Sequence, residues 1–389
     1  MSIRGKAHIA GIYEHPLREI PDRTLSQIHA EVALGALADA GLTLDDVDGY
    51  FCDSMVPGMG GLSLMEYLGI RVSYLDNTET GGSSYLGHVG HAASAIAAGK
   101  CQVALVTLAG KPRTSRGGFR GGMGDSPEGA FEQPWGLFGA PYNYALAAQR
   151  HMYEFGTTSE QLAEIKVAAS LHAQHNPNAL LQKVVTVEEV LDSPMVSDPL
   201  HRLDCCVVTD GGGAVVVVSP DVARDLQRRT AVLLGHGEAQ KHSDNGRVDL
   251  TYTGARWSGP RAFEEAGVTQ ADIDYASIYD SFTITVLETI EDLGFCEKGE
   301  GGRFVLDGAL VAPFGKLPFN TDGGGLCNNH PGNRGGMTKI LEAVRQIRGE
   351  AHPAVQVPDC EIALAHGTGG SLSTRMGSAT LILGREDVR

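Results

Sequence analysis

Apolar residues along this chain fall into two alternating patterns: short continuous runs and longer stretches with helical spacing. Val103–Leu108, Ala214–Val218, Ala276–Tyr279, Ile362–Ala365 and Ala379–Leu383 are dense in Val, Ile, Leu and Ala, with little polar alternation. Such runs predict strands covered on both faces, and a further strand is expected at Gly49–Cys52. Between them the spacing predicts helices. One opens at a capping box, Thr24 with Gln27, and runs to Ala40. A small-residue helix is expected over Ser83–Ala98, another ends over Arg261–Ala266, and two more cover Phe282–Leu293 and Gly336–Ile347. Strands alternating with helices place the chain in the α/β class.

The pattern also repeats. Ala40-Gly-Leu-Thr-Leu-Asp-Asp-Val-Asp48 has a counterpart in Ala266-Gly-Val-Thr-Gln-Ala-Asp-Ile-Asp274. Cys101–Val106 resembles Cys360–Ala365, and Gly213–Val218 resembles Ser378–Leu383. Three matches in one order indicate two copies of a strand–helix unit, roughly residues 1–230 and 231–389. Residues 110–200 interrupt the first copy. They open on a basic, Gly-rich run at Arg113–Met123 and continue in amphipathic helices near Tyr142–Glu154, Ser159–His172 and Val187–Leu191. An insertion of this size suits a lid or substrate-binding segment.

Charge and cysteine content narrow the function classes. A net charge of −16 argues against nucleic acid or an anionic membrane as the main partner. No apolar run is long enough for a membrane span, and the N-terminus lacks the apolar core of an export signal, so a cytoplasmic location is expected. Seven cysteines without metal-ligand spacing read as reduced thiols, mostly in the core.

Four further segments carry a family resemblance. Ser197–Asp204 with Asp210–Ala214 is similar to a signature of the thiolase superfamily, specifically of its sterol-carrier or lipid-transfer branch. Tyr279-Asp-Ser-Phe-Thr283 sits where that branch carries His-Asp-Cys-Phe. Asn320–Gly325 with His330-Pro-Gly332, and His366-Gly-Thr-Gly-Gly370, resemble two more of its motifs. The resemblance implies a duplicated, five-layer α-β-α-β-α fold, a homodimer, and acyl-CoA thioesters as substrates. Coenzyme A would enter as part of the substrate, with no other cofactor and no metal.

The chemistry departs from that family. A thiolase nucleophile is a cysteine at a helix N-terminus, where the dipole favours the thiolate. The family pattern Glu-x-x-Cys-x-Ser-Gly lies on Glu79–Tyr85, and Gly82 falls on the nucleophile; the nearest cysteine in sequence is Cys101. The second thiol is also missing, being Ser281 in one motif and lying within His366-Gly-Thr-Gly in the other. His330 stays at the position resembling the family's catalytic histidine, and Tyr279 replaces a residue of the second oxyanion site. A phenol and an imidazole without a nucleophile suit aldol-type cleavage of a β-hydroxyacyl-CoA. A thiolase-like subgroup that cleaves steroid side chains, working with a small OB-fold/zinc-ribbon partner, is the nearest resemblance. The segment His330-Pro-Gly-Asn-Arg334 has no tyrosine where those aldolases are expected to have one.

Simpler roles stand beside these. Ser83 suits an N-cap as well as a nucleophile or substrate contact. His88 and His91 have no ligand companions for a metal. Tyr279 alone reads as a core tyrosine at a strand end, and His330 as a loop histidine. Arg113, Arg116 and Arg120 fit either CoA phosphates or solvent, and Gly369 and Gly370 either a ligand's approach or a tight turn. The substrate-binding set is therefore Gly82, Ser83, Ser281, His366, Gly369, Gly370 and Arg116, around Tyr279 and His330. The leading function is an acyl-CoA carbon–carbon lyase. An acyltransferase using Ser83 or a displaced thiol, and a non-catalytic acyl-CoA or lipid carrier, are the alternatives.

Overall fold

The computed structural model describes residues 2–54, 56–115, 126, 130, 133–136, 139–242, 247–332, 335–370 and 376–388. Eleven strands are present among them: β1 (His8–Glu14), β2 (Gly49–Phe51), β3 (Tyr74–Asp76), β4 (Val103–Gly110), β5 (Met195–Ser197), β6 (Leu200–His201), β7 (Gly211–Val218), β8 (Ala231–Lys241), β9 (Tyr275–Ile278), β10 (Ile362–Gly370) and β11 (Met376–Arg385). Nine of them form one sheet in the order β3-β2-β4-β7-β1-β8-β11-β10-β9, and β5 and β6 pair separately.

The sheet is two similar halves joined at a short seam. From the outside inward, β2-β4-β7-β1 and β9-β10-β11-β8 have the same sense of pairing, the first pair parallel and the others antiparallel. β7 and β11, whose sequences repeat, hold corresponding places. The seam is the pairing of His8 with Val232 and of Ile9 with Ala231.

Side-chain alternation along the strands builds the layers. Ala104 and Val106 of β4 and Val215 and Val217 of β7 face a central core, shared with Ala363 and Ala365 of β10 and Leu381 and Leu383 of β11. The Ser84–Ala97 and Gly336–Arg348 helices lie in that core. On the opposite face Val103, Leu105, Val216 and Val218 pack on the Leu25–Ala40 helix, and Leu364 and Ile382 pack under the Ala255–Ala266 and Thr283–Asp292 helices. The stack is α-β-α-β-α, as the resemblance implies. The insertion helices, Ala140–Phe155 and Ser159–Ala173, interrupt the first half in sequence yet bury Tyr144, Ala148, Leu162 and Ile165 against Ile284, Leu287 and Ile290 of the second.

The capping box at Thr24 and Gln27 is formed. β1, β3, β8 and the Gly61–Leu68 helix are absent from the expectations above. In β8 the apolar run breaks at Gly235 and Gly237, and the cause is packing. A Cβ at either would stand 2.1 Å from a carbonyl oxygen of the Ala255–Ala266 helix, so only glycine lets that helix sit on the strand.

Candidate active site

Tyr279 follows β9 directly, and its amide donates to the His366 carbonyl at 3.0 Å. Asn320 fixes the end of β9 through both its amide atoms, each 2.8 Å from the Ile278 backbone. The neighbouring Asp280 carboxylate accepts the amides of Gly325 (2.7 Å) and Leu326 (3.0 Å) and the Lys339 ammonium (2.8 Å). It thereby ties the loop that carries His330 to the residue beside Tyr279. The His330 amide donates to Thr209 Oγ1 at 2.9 Å. These anchors bring Tyr279 Oη to 2.9 Å from His330 Nε2, with the rings 5.5 Å apart at 70°.

Gly82 completes the arrangement. A Cβ built there would lie 2.4 Å from both Tyr279 Cε2 and the Thr368 carbonyl oxygen. The phenol ring thus fills the space a side chain at Gly82 would need. Gly335 borders the same pair, its Cβ position 3.1 Å from His330 Cδ2 and 3.2 Å from Tyr279 Cε2.

Both members of the pair are neutral at neutral pH. Burial pushes the Tyr279 phenol well above its usual value, with Cys206 and Tyr144 adding to the effect. Burial lowers the His330 imidazole to about 4; the Asp280 carboxylate opposes this and the Lys339 ammonium reinforces it. A neutral imidazole can take a proton that a phenol relays, and a phenol can donate to an oxyanion. All seven thiols are raised instead, burial first in each case, including Cys206, the one that acts on Tyr279. None is poised as a thiolate.

The remaining sequence candidates divide. Ser281 lies on the wall of the site, its hydroxyl 3.1 Å from Thr285 Oγ1. Ser83 holds the N-cap position of the Ser84–Ala97 helix without a capping bond; its hydroxyl donates to the Thr80 carbonyl at 2.8 Å. The His366 ring projects to the outer face of β10 and meets Thr380 Oγ1 at 2.9 Å, so only its backbone touches Tyr279. Gly369 admits the turn at Thr80–Gly82, whose Thr80 carbonyl would be 1.8 Å from a Cβ; Gly370 has φ +80° at the end of β10. Arg113 pairs with Glu19 and with the Val208 carbonyl. Arg116, Arg120 and Arg334 lie outside the described residues. His91 bridges the Asp76 and Glu238 carboxylates at 2.7 and 2.9 Å. Among the described residues no group of three or more ligand-type side chains could hold a metal ion.

Sequence reasoning missed Asp280 and Lys339 as supports and Tyr144 as a wall. The Tyr144 ring stacks on Phe282 at 4.4 Å, and its hydroxyl faces Ser281. Asp280 lies inside the Tyr279–Thr283 motif, whereas Tyr144 has only the 3–4 spacing of buried positions in its helix as a signal.

Residues 237–385 match the family model for the thiolase C-terminal domain. A steroid side-chain-cleaving aldolase of Thermomonospora curvata is 35% identical over 369 residues, covering 89% of this chain and 91% of that protein. An acetyl-CoA acetyltransferase of Methanothermobacter thermautotrophicus is 32% identical over 379 residues, covering 94% and 97%. The chain belongs to the thiolase superfamily. A solved Ltp2-ChsH2(DUF35) aldolase covers 99% of both chains at 33% identity, with a TM-score of 0.89. Within the superfamily, the matches to an aldolase, a lyase and sterol carrier protein 2 place the chain in the sterol-carrier branch near the retro-aldolases.

Buried imidazoles also set an acid limit on the fold. His88, His172 and His366 are lowered by burial to about 4, 4 and 3. Between the ordinary value of 6.5 and about 4 the unfolded chain therefore binds more protons than the folded one, and stability falls as pH falls. Each group contributes about 2 kcal/mol of loss by pH 5. Urea unfolding should show a clearly lower midpoint at pH 5 than at pH 7, and equal midpoints would contradict the burial of these rings.

Proposed function

We propose that the protein is an acyl-CoA lyase that breaks a carbon–carbon bond by retro-aldol chemistry, without a covalent acyl-enzyme. The observation that carries this is the phenol–imidazole pair standing in the space where a nucleophile's side chain would project. For a β-hydroxyacyl-CoA, the β-hydroxyl loses its proton and becomes a carbonyl as the bond between Cα and Cβ breaks. The electron pair moves to the thioester as an enolate, which takes a proton at Cα. The products are an aldehyde or ketone and a shortened acyl-CoA. Tyr279 and His330 supply the donor and the proton carrier, with Ser281 and Gly82 beside the thioester end.

The names of the similar proteins support a lipid, steroid or aromatic acyl group. The two-component name of the solved aldolase supports a small partner protein, which the resemblance makes an OB-fold/zinc-ribbon one. A homodimer in the cytoplasm, with CoA bound only as part of the substrate, completes the reading. Among the described residues no helix is long and apolar enough to cross a membrane.

The test is mass spectrometry of the protein after incubation with a ketoacyl-CoA, alongside product analysis with a β-hydroxyacyl-CoA and the partner supplied. The chain should stay unmodified while the second substrate is split. A stable acyl adduct on Ser83 or on any cysteine would revive the acyltransferase reading.

A further inference from the structure

The Thr283–Asp292 helix carries a buried acid that nothing above employs. Glu288 is fully buried, and neither carboxylate oxygen has a hydrogen-bond partner. Its charged neighbours are already matched to other groups. The Lys241 ammonium donates to the carbonyls of Asp249 (2.5 Å) and Tyr252 (2.6 Å). Lys298 pairs with Asp292 (2.7 Å) and Glu291 (3.1 Å). Glu291 also holds His151, and Asp292 accepts from Thr253. Burial, with Asp292 and Glu291 adding to it and the two lysines opposing, raises Glu288 well above the usual carboxylate range. Burial thus favours the protonated carboxyl, which can both donate and accept. A buried polar group left unpaired costs about 1–3 kcal/mol and is uncommon without a reason.

Its position supplies the reason. Thr285 and Glu288 lie three residues apart on one face of this helix, and Ser281, just before its extended N-cap Phe282, meets Thr285 Oγ1 at 3.1 Å. Ser281 lies two residues from Tyr279, and the Tyr144 phenol of the insertion, stacked on Phe282, faces Ser281 and feels the charge of Glu288. Three residues at about 1.5 Å each separate Thr285 from Glu288, roughly one turn along the helix.

We propose that the Glu288 carboxyl and the Tyr144 phenol form a binding subsite for the acyl group, taking a hydroxyl or carbonyl oxygen of the substrate about one helical turn beyond the Ser281–Thr285 contact. It rests on the lyase reading only in placing the thioester at Tyr279 and His330. The class of substrate this selects is an acyl-CoA whose distal part is oxygenated, such as a phenolic or ring-oxidised side chain. A hydrocarbon of the same shape would leave the acid unpaired and bind more weakly.

Calorimetric titration with 3-(4-hydroxyphenyl)propanoyl-CoA and 3-phenylpropanoyl-CoA tests this. Neither has a β-hydroxyl, so neither can be cleaved, and the affinities do not depend on whether the protein is a lyase. The wild type should bind the hydroxylated thioester at least 10-fold more tightly. Glu288→Leu should abolish that preference without lowering the melting temperature, because it removes an unpaired acid and no structural bond. Glu288→Gln should keep most of it, and Tyr144→Phe, which retains the stack on Phe282, should reduce it several-fold. Equal affinities in the wild type, or a preference that survives both Glu288→Leu and Tyr144→Phe, would overturn the subsite. A wild type that shows the preference but splits no β-hydroxyacyl-CoA would leave the subsite standing and remove the lyase reading.

Discussion

Tyr279→Phe should lower the single-turnover rate of β-hydroxyacyl-CoA cleavage on the order of 100- to 1000-fold while leaving acyl-CoA affinity nearly unchanged. The substitution keeps the ring against Gly82 and the Thr368 carbonyl, so the shape of the site persists. It deletes one donor, the hydroxyl 2.9 Å from His330 Nε2. Loss of a donor aimed at developing charge typically has that cost, and it falls on the rate because the bond strengthens only as charge appears. The orphaned imidazole costs the fold about 1 kcal/mol, far less than the effect on rate. His330→Ala should be comparably damaging, and the double variant little worse than either, since both serve one transition state. Rates like those of the wild type for Tyr279→Phe would remove the phenol from the chemistry.

The second large effect concerns an attempt to restore the missing thiol. Gly82→Cys should fail to create a thiolase and should destabilise the protein by about 1–3 kcal/mol or more, the usual cost of overpacking a filled interior. The new Cβ would meet the Tyr279 ring and the Thr368 carbonyl oxygen at 2.4 Å, and the second of these is backbone in β10 with no freedom to turn aside. Adding Tyr279→Ala to Gly82→Cys removes the ring and should recover part of the lost stability, measured by urea unfolding. A single Gly82→Cys protein as stable as the wild type would show that the phenol does not hold that space.

The two substitutions are therefore one design. A glycine where a nucleophile belongs looks like simple loss when read along the chain. In three dimensions it is the complement of Tyr279, almost two hundred positions later, and volume complementarity across such a separation leaves no mark on spacing or periodicity. Tyr279 and His330 themselves were legible because both sit in motif segments, that of His330 flanked by glycines and a proline. Lys339 was not. A lysine within an amphipathic helix ordinarily reads as a solvated position, and only the fold reveals that its ammonium ends on the buried Asp280 carboxylate. Glu288 was hidden for the same reason. The strands followed a parallel rule: all-apolar runs announced β4, β7, β10 and β11, whereas β8 was masked by the glycines that its covering helix requires.

The insertion's choice of neighbour has a consequence for biosynthesis. Residues 140–173 leave the ribosome with Leu162, Ile165 and Ala169 exposed, yet the Ile284, Leu287 and Ile290 surface that covers them is made about 120 residues later. At translation rates of about 5–20 residues per second, that interval lasts roughly 6–24 seconds. The first half of the nascent chain must spend it with an unfilled apolar face, which makes this segment the natural point of engagement for a chaperone and sets the order of assembly. The wall that carries Tyr144 closes only after β9 and the Tyr279 that follows it have been made.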